Sequence, residues 1–511
     1  MLPRLRFLPV SLSLLLSVVA LVSAASAATT EPARPNFILI NIDDLGYHEI
    51  GPFGSTNRTP NLDRLAAEGR VLRSHYAAPV CSPSRAALLT GCYPKRVLPI
   101  PHVLFPAAAV GLSPEEHTIA DVLRAAGYAT ACIGKWHLGD QPAFLPRQQG
   151  FDYYYGLPYS NDMGPGDDGT KRDFGAPPAA PNAAAKAKNK NAVAKKAATP
   201  PANDETGLRA PQPPLALLEN DTVIGRVRID EQLDLVRRYT EKSLAFIRDA
   251  QARQRPFFLY LAHNAVHFPR YPSEKFRGSS PNGLLGDWVQ EIDASVGELL
   301  TALRERQLDR NTVIVFVSDN GGPVNQGATN TPLRGSKGST LEGGIRVPAL
   351  AWWPGHIPAG TSTDAITTMM DVLPTFAQLA RAPLDPARKI DGVDLWPVLT
   401  GAPATPPRDT FLYHRGLVLE AIRSGPWKLH LEKKELYNLA TDIGEATDVA
   451  AQHPDVVARL AALAAASDAD LGVTGAGPGV RALGRVSHPV PLIAADGTVS
   501  PAVAGAQKNF P

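Results

Sequence analysis

Apolar residues in this chain come in short unbroken runs, each separated from the next by a segment with one apolar face. NFILINI (36–42) is uncharged throughout and mostly apolar, which predicts a strand buried on both faces. RPFFLYLAH (255–263), NTVIVFVSDNG (311–321) and YATACIG (128–134) repeat the pattern. Helices are predicted between them. TPNLDRLAAEG (59–69) places Thr59 at an N-cap, Pro60 at the first helical position and Gly69 at the stop. TIADVLRAAG (118–127) follows the same grammar, and VRRYTEKSLAFIRDAQ (236–251) precedes the strand at 255. This alternation predicts an α/β fold, a mostly parallel sheet sandwiched by helices, over residues 35–400. From about residue 405 the pattern changes. LEAIRSGPWKLHLEKKELYNL alternates around Ser424-Gly425-Pro426, predicting an antiparallel hairpin, and the helical PDVVARLAALAAAS follows. A smaller C-terminal α+β domain (405–490) with an extended tail (491–511) is expected.

Two segments stand outside this grammar. Residues 175–203 are Ala, Lys, Asn and Pro with almost nothing large to bury, which predicts a solvated insertion. At the N-terminus, Arg4 and Arg6 precede FLPVSLSLLLSVVALV and the small residues Ala25-Ser26-Ala27, the layout of a cleavable secretory signal over 1–27. This run is short for a spanning helix and no later one reaches the ~18 apolar residues required, so an exported protein without a stable membrane span is expected. The formal charge of +2 includes Arg4, Arg6 and five lysines of the insertion; without these seven the remainder is net negative. That balance excludes the basic footprint of a nucleic-acid binder. Three cysteines in 511 residues exclude a disulfide scaffold and leave at least one thiol unpaired.

Chemistry-bearing residues cluster where the apolar runs end, the place where α/β sheets bind ligands. NFILINI ends in Asp43 and Asp44, TACIG in Lys135 and His137, FFLYLAH in His263 and His267, and VIVFVS in Asp319 and Asn320. Adjacent carboxylates repel and need cations or solvent. An all-oxygen donor set suits a hard cation, Ca²⁺ or Mg²⁺, and no zinc spacing is present. Taken singly, each acidic stretch also reads as a turn. Ser160 sits in the polar loop LPYSNDMGP, and Lys337 in the glycine-rich RGSKGSTLEGG.

The stretch CSPSRAALLTG (81–91) predicts a helix ending near Thr90 with Gly91 as its stop. Cys81 and Arg85 are four apart and share a face. A helix N-terminus and a guanidinium both favour an anion and both lower a thiol's pKa. An activated thiolate, a small buried apolar residue and an anion site are all compatible with that pattern.

Cys81-Ser82-Pro83-Ser84-Arg85, with LLTG following, resembles the C-x-P-S-R signature of the type I sulfatases. NFILINIDDLGY, TACIGKWHLG, PFFLYLAHNAVHFP, VFVSDNGG and LRGSKGSTLEGGIRVPALAWWPG resemble family segments in family order, over about residues 35–490 without the insertion. GLPYSNDMGP and GVRALGRV are similar to the arylsulfatase A-like branch. The resemblance implies an alkaline phosphatase-like fold and a sulfuric ester hydrolase, releasing alcohol and inorganic sulfate from aryl or carbohydrate sulfate monoesters. Cys81 would be oxidised to 3-oxoalanine (Cα-formylglycine) by a formylglycine-generating or anaerobic sulfatase-maturating enzyme. One hydroxyl of its hydrate would attack sulfur to give a covalent sulfate intermediate, and the other would expel sulfate. Ca²⁺, in preference to Mg²⁺, would sit on Asp43, Asp44, Asp319, Asn320 and modified Cys81. Arg85 would hold the nucleophile; Lys135, Lys337 and Ser160 would grip sulfate oxygens. His137 would act as base in sulfate release, and His267 would stand beside the leaving oxygen. The scarcity of cysteines departs from the animal lysosomal members and fits a bacterial periplasmic or extracellular enzyme. Rival expectations are a phosphate or phosphonate ester hydrolase on the same scaffold and a non-catalytic binder of sulfated glycans. Selectivity for the alcohol would come from loops, among them residues 153–168, His102 and His414.

Overall fold

Seven consecutive buried residues, Asn36–Ile42 (β1), form the strand around which the main sheet is built. In the computed structural model of the protein, residues 34–176, 212–402 and 407–505 are described. The segment read as a signal (1–27) and most of the 175–203 insertion lie outside them. Nine more strands join β1 in one mixed sheet: Arg70–Leu72 (β2), Ala129–Gly134 (β3), Tyr153–Gly156 (β4), Ala216–Glu219 (β5), Thr222–Arg226 (β6), Phe257–His263 (β7), Thr312–Ser318 (β8), Ala349–Trp352 (β9) and Thr361–Thr363 (β10). Their order is β10-β2-β9-β8-β1-β7-β3-β4-β5-β6. The central five, β8-β1-β7-β3-β4, are parallel. Antiparallel pairings begin on either side of them, at β9 and β5. The expected parallel sheet is thus the centre of a larger mixed one.

Helices cover both faces of the parallel centre, which is why its strands are apolar without alternation. Neighbouring residues on a strand point to opposite faces. Phe257 meets Phe246 of the helix Leu235–Ala252, with ring centroids 6.1 Å apart. Phe258 meets Phe376 of the helix Val372–Ala380 on the other side, at 6.2 Å. The helix Cys81–Thr90 lies on the same side as Phe376, packed on Val372–Ala380. It stops as its sequence predicts: Gly91 turns left-handed, at φ 68°, and its N–H returns to Ala87 O. The helix Ile119–Ala125 opens with a capping box between Thr118 and Asp121.

Four later strands, Thr410–Arg415 (β11), Val418–Ser424 (β12), Trp427–His430 (β13) and Glu435–Asn438 (β14), make a separate antiparallel sheet in sequential order. The predicted hairpin is β12–β13, closed by Gly425 at φ 58° and Pro426. Leu460 and Ala464 of the helix Pro454–Ala466 pack on one side of this sheet with Leu419, Ile422, Leu429 and Leu436. On the other side, Phe411 and Tyr413 meet Tyr76, Ile345 and Met370 of the larger layer. Further along, Leu492, Ile493, Val499 and Val503 are buried with the main core.

An ionic network under that contact ties the two sheets. Glu342 is fully buried; it accepts from Lys428 Nζ (2.9 Å) and Tyr413 OH (2.9 Å) of the smaller sheet, and from Tyr76 OH (2.7 Å). Glu445 accepts from the Glu342 backbone N–H (2.7 Å) and pairs with Lys428 (2.9 Å). Burial opposes the charge on Glu342, but Lys428, Arg346 and Arg423 outweigh it and hold the carboxyl below its ordinary 4.5. Removing one member of such a network strands the others without solvent. Glu342→Gln is therefore expected to lower stability by about 3–5 kcal/mol, read from denaturant melts at neutral pH. A carboxyl depressed on folding stabilises above its unfolded value and loses that contribution as pH falls below it. The wild type should accordingly lose stability below about pH 4.5, and the variant should show a shallower acid limb.

Candidate active site

The register of three strands sets the site. Ile42 pairs with Ser318 on one side and His263 on the other, so β1, β8 and β7 end level. The next residues, Asp43, Asp44, Asp319 and Asn320, leave the sheet together. Their backbones stay paired: Asp319 N–H donates to Ile42 O, and Asp43 exchanges hydrogen bonds with Ala265 and Val266. Lys135 follows β3 at the same edge, its N–H on Ala262 O. Asp44 takes φ 62°, the left-handed turn that sets its carboxylate beside the others.

Three carboxylates are buried here, and three cations from three other segments answer them. Arg85 Nε and Nη2 donate to Asp319 Oδ2 at 3.0 and 2.9 Å, and Nη2 lies 3.4 Å from Asp43 Oδ2. Its Nη1 donates to Lys135 O. Lys135 Nζ donates to Asp43 Oδ2 and, at 3.2 Å, to Ser160 Oγ. Lys337 Nζ lies 2.7 Å from Asp44 Oδ1. Asp44 Oδ1 also accepts from Asn320 Nδ2 at 2.7 Å. His267 places Nε2 3.6 Å from Asp44 Oδ2 and Nδ1 3.5 Å from Ser160 Oγ. The eleven residues to which the resemblance gives a catalytic, substrate-binding or metal role lie in or against this cluster; His263, also at a strand end, is turned away, with Nε2 3.5 Å from Ser295 Oγ.

Cys81 sits at the first position of its helix, buried, with Sγ 3.3 Å from Asp43 Oδ1. Sequence reasoning allowed its thiol to be acidified by the helix end and Arg85. The structure reverses that direction: burial first, then Asp319 and Asp43, push the thiol well above its ordinary value. These surroundings disfavour the thiolate and so speak against the activated-thiolate reading. Burial and the neighbouring Asp43 also push the Asp319 carboxyl up. Asp43 moves the other way: burial is outweighed by Lys135, His267 and Arg85.

His137 is neutral. Burial, then Lys135 and Arg85, hold it well below the usual histidine value. Its Nε2 lies 2.9 Å from Leu104 O, a carbonyl that can only accept, so Nε2 carries the hydrogen and Nδ1 keeps its lone pair. That Nδ1 is buried without a hydrogen-bond partner among the described residues. Asp162 was missed. Burial works against its charge, but His267 and Lys135 lower its pKa, placing it at the site's edge with a buried, unpartnered Oδ1. In sequence it is one more polar residue in a turn-rich loop, and only its spacing of two from Ser160 hinted at a shared rim.

The residues present fit a hard cation. Ligand atoms of Asp43, Asp44, Cys81 and His267 lie within 4.8 Å of one another. Asn320 Oδ1 is buried with no protein donor, which is the state expected of a metal-directed amide oxygen. Carboxylates for a cation, beside three fixed cations and a helix N-terminus for an anion, define a hydrolytic site for anionic esters. The sequence match agrees: the family described as Sulfatase covers residues 35–382, and the chain belongs to the sulfatase family. It is a sulfuric ester hydrolase. The chain is 40% identical to arylsulfatase A of Homo sapiens over 420 residues, 80% of this chain and 76% of that one. It is 38% identical to N-acetylgalactosamine-6-sulfatase of Canis lupus familiaris over 426 residues, 81% and 74% of the two chains. Among solved structures it is similar to Ps i-CgsB in complex with k-i-k-neocarrahexaose, with 32% identity, TM-score 0.66, and 84% and 91% of the chains covered.

All three thiols are free and buried. Protein carrying unoxidised Cys81 is therefore expected to show no fast reaction with an aromatic disulfide reagent at pH 8 while folded. Rapid labelling of Cys81 in the native state would contradict the raised thiol pKa.

Proposed function

We propose that this sulfatase hydrolyses sulfate monoesters of aryl alcohols or carbohydrates with formylglycine at position 81 and Ca²⁺ at the carboxylate cluster. The observation that carries the reading is the buried Cys81 at a helix N-terminus, 3.3 Å from Asp43, in a cluster that also holds Arg85, Lys135 and Lys337. A thiol whose surroundings disfavour the thiolate stands where three cations could meet an anion. Asp43, Asp44, Asp319 and Asn320 would hold the cation, with the modified residue 81 completing its shell. When bound, the cation withdraws charge from the sulfuryl oxygens, and the hydrated aldehyde supplies the attacking oxygen.

The remaining work belongs to side chains already in place. Lys135, Lys337 and Ser160 converge on the space in front of Cys81 and grip sulfate oxygens. Arg85, locked on Asp319 and Asp43, holds residue 81 and compensates charge developing around it. His267, between Ser160 and Asp44, stands where the leaving alcohol oxygen must take a proton. His137 offers its unpaired Nδ1 to the proton lost as sulfate is released, and its low pKa keeps that lone pair available at neutral pH. Burial of Cys81 also bears on its maturation. A thiol closed off by the fold is out of reach of a modifying enzyme, so oxidation belongs to the unfolded chain. Export to a periplasmic or extracellular space of a bacterium is part of the same reading, and no helix among the described residues is long and apolar enough to cross a membrane.

The direct test is the mass of the Cys81 peptide, which should carry an aldehyde. Denatured mature protein should then titrate two thiols, Cys92 and Cys132, in place of the three in the sequence. Cys81→Ala should hydrolyse 4-nitrophenyl sulfate no faster than background; turnover near wild type would overturn the formylglycine reading. Asp319→Asn should raise the calcium concentration for half-maximal activity by about tenfold or more, and an unchanged calcium titration would remove Asp319 from the metal shell.

A further inference from the structure

A second histidine, outside the catalytic cluster, is buried with nothing to bond. His414 is 6% exposed, and neither ring nitrogen has a hydrogen-bond partner among the described residues. An imidazole shut away from water with both nitrogens idle carries a cost that a ligand would relieve. It lines a cavity of about 170 Å³. The other walls place that cavity beside the catalytic residues. Val80 and Pro83 flank Cys81, Gly338 follows Lys337, and Gly338 N–H donates to Pro79 O at 2.8 Å. Leu98 and Ile100 make an apolar side, with His102 exposed at the edge.

The backbone has been bent to bring His414 there. Strand β11 shifts register between Tyr413 and His414, a bulge of the kind that re-aims a side chain. Tyr413 on one side of the bulge is fixed by Glu342, and the His414 ring meets Tyr93 edge-on at 5.3 Å. The smaller sheet therefore delivers His414, with Arg415 and Gly416 beside it, to a pocket of the larger domain.

We propose that His414 is a specificity-determining residue that hydrogen-bonds a hydroxyl on the alcohol part of the sulfate ester, in a subsite for one neutral, hydroxylated sugar ring. This rests on the sulfatase reading above and names the part of the substrate that reading leaves open. Burial, then Lys95 and Arg96, hold the imidazole far toward its neutral form, at about 3. A neutral ring offers one donor and one acceptor, the complement of a hydroxyl. The nearby cations are already engaged: Arg415 with Glu420, Arg96 with Asp391 and Asp470, and Lys95 on Gly472 O. The size fits too, since cavities of ~150 Å³ accept one six-membered ring, and apolar walls suit the C–H faces of a sugar.

The test uses mature full-length enzyme, 4-nitrophenyl sulfate as an ester without further hydroxyls, and a panel of monosaccharide sulfates esterified at different positions. His414→Ala should lose about ten- to a hundredfold in kcat/KM on the best sugar sulfate, mostly through KM, and several-fold less on 4-nitrophenyl sulfate. His414→Gln, which still donates and accepts, should recover part of the difference. A deoxy analogue lacking the recognised hydroxyl should cost the wild type the same factor and the alanine variant little. Equal losses on both ester types would make His414 structural and overturn the proposal. So would a wild type that cleaves 4-nitrophenyl sulfate but no sugar sulfate. Failure of the wild type on every sulfate ester would instead strike at the sulfatase reading itself.

Discussion

Three carboxylates forced together in a dry place need three positive partners, and most of the catalytic half of the molecule is arranged to supply them. Asp43, Asp44 and Asp319 emerge from two adjacent buried strands that end level, so their mutual repulsion is built into the sheet. Arg85 from a helix, Lys135 from a neighbouring strand end and Lys337 from a loop neutralise them. None of these cations could be removed without leaving a buried charge unpaired, at a cost of about 3–5 kcal/mol in comparable cases. In the proposed function the same positive groups that make the cluster tolerable are the ones an anionic ester meets. On that proposal, stability and substrate recognition depend on one set of charges.

The smaller sheet takes part in both. Glu342 binds Lys428 and Tyr413 across the junction, which fixes strand β11 against the larger layer. Beyond Tyr413 the strand bulges and presents His414 to the pocket beside Cys81. A buried ionic contact and a backbone irregularity two residues from the end of the strand together complete a wall that the larger layer leaves open.

Much of the fold was legible because the buried strands are continuous apolar runs and the helices carry their stop and start residues. Asp43-Asp44 and Asp319-Asn320 could be paired as candidates for the same reason: both follow such runs. For Cys81 the sequence pattern left the state of the thiol open. Helix end and guanidinium are visible in sequence, whereas the desolvation and the two carboxylates that reverse their effect come from strands 38 and more than 200 residues away. Asp162 was hidden by its ordinary surroundings in a polar turn. The antiparallel flanks of the main sheet were missed because short edge strands carry little periodicity.

The sequence by itself determined where the apolar runs end and which charged residues stand there, because buried strands can be recognised from composition and their termini must be polar. It also set Cys81, Pro83 and Arg85 together, since they are neighbours along one helix. Only the tertiary structure decided the direction in which that cysteine's pKa moves, the unpartnered Nδ1 of His137 and the isolation of His414. Each of these follows from burial and from charges brought in across long sequence separations. Electrostatic energy depends on distance and dielectric in three dimensions, and neither is written along the chain.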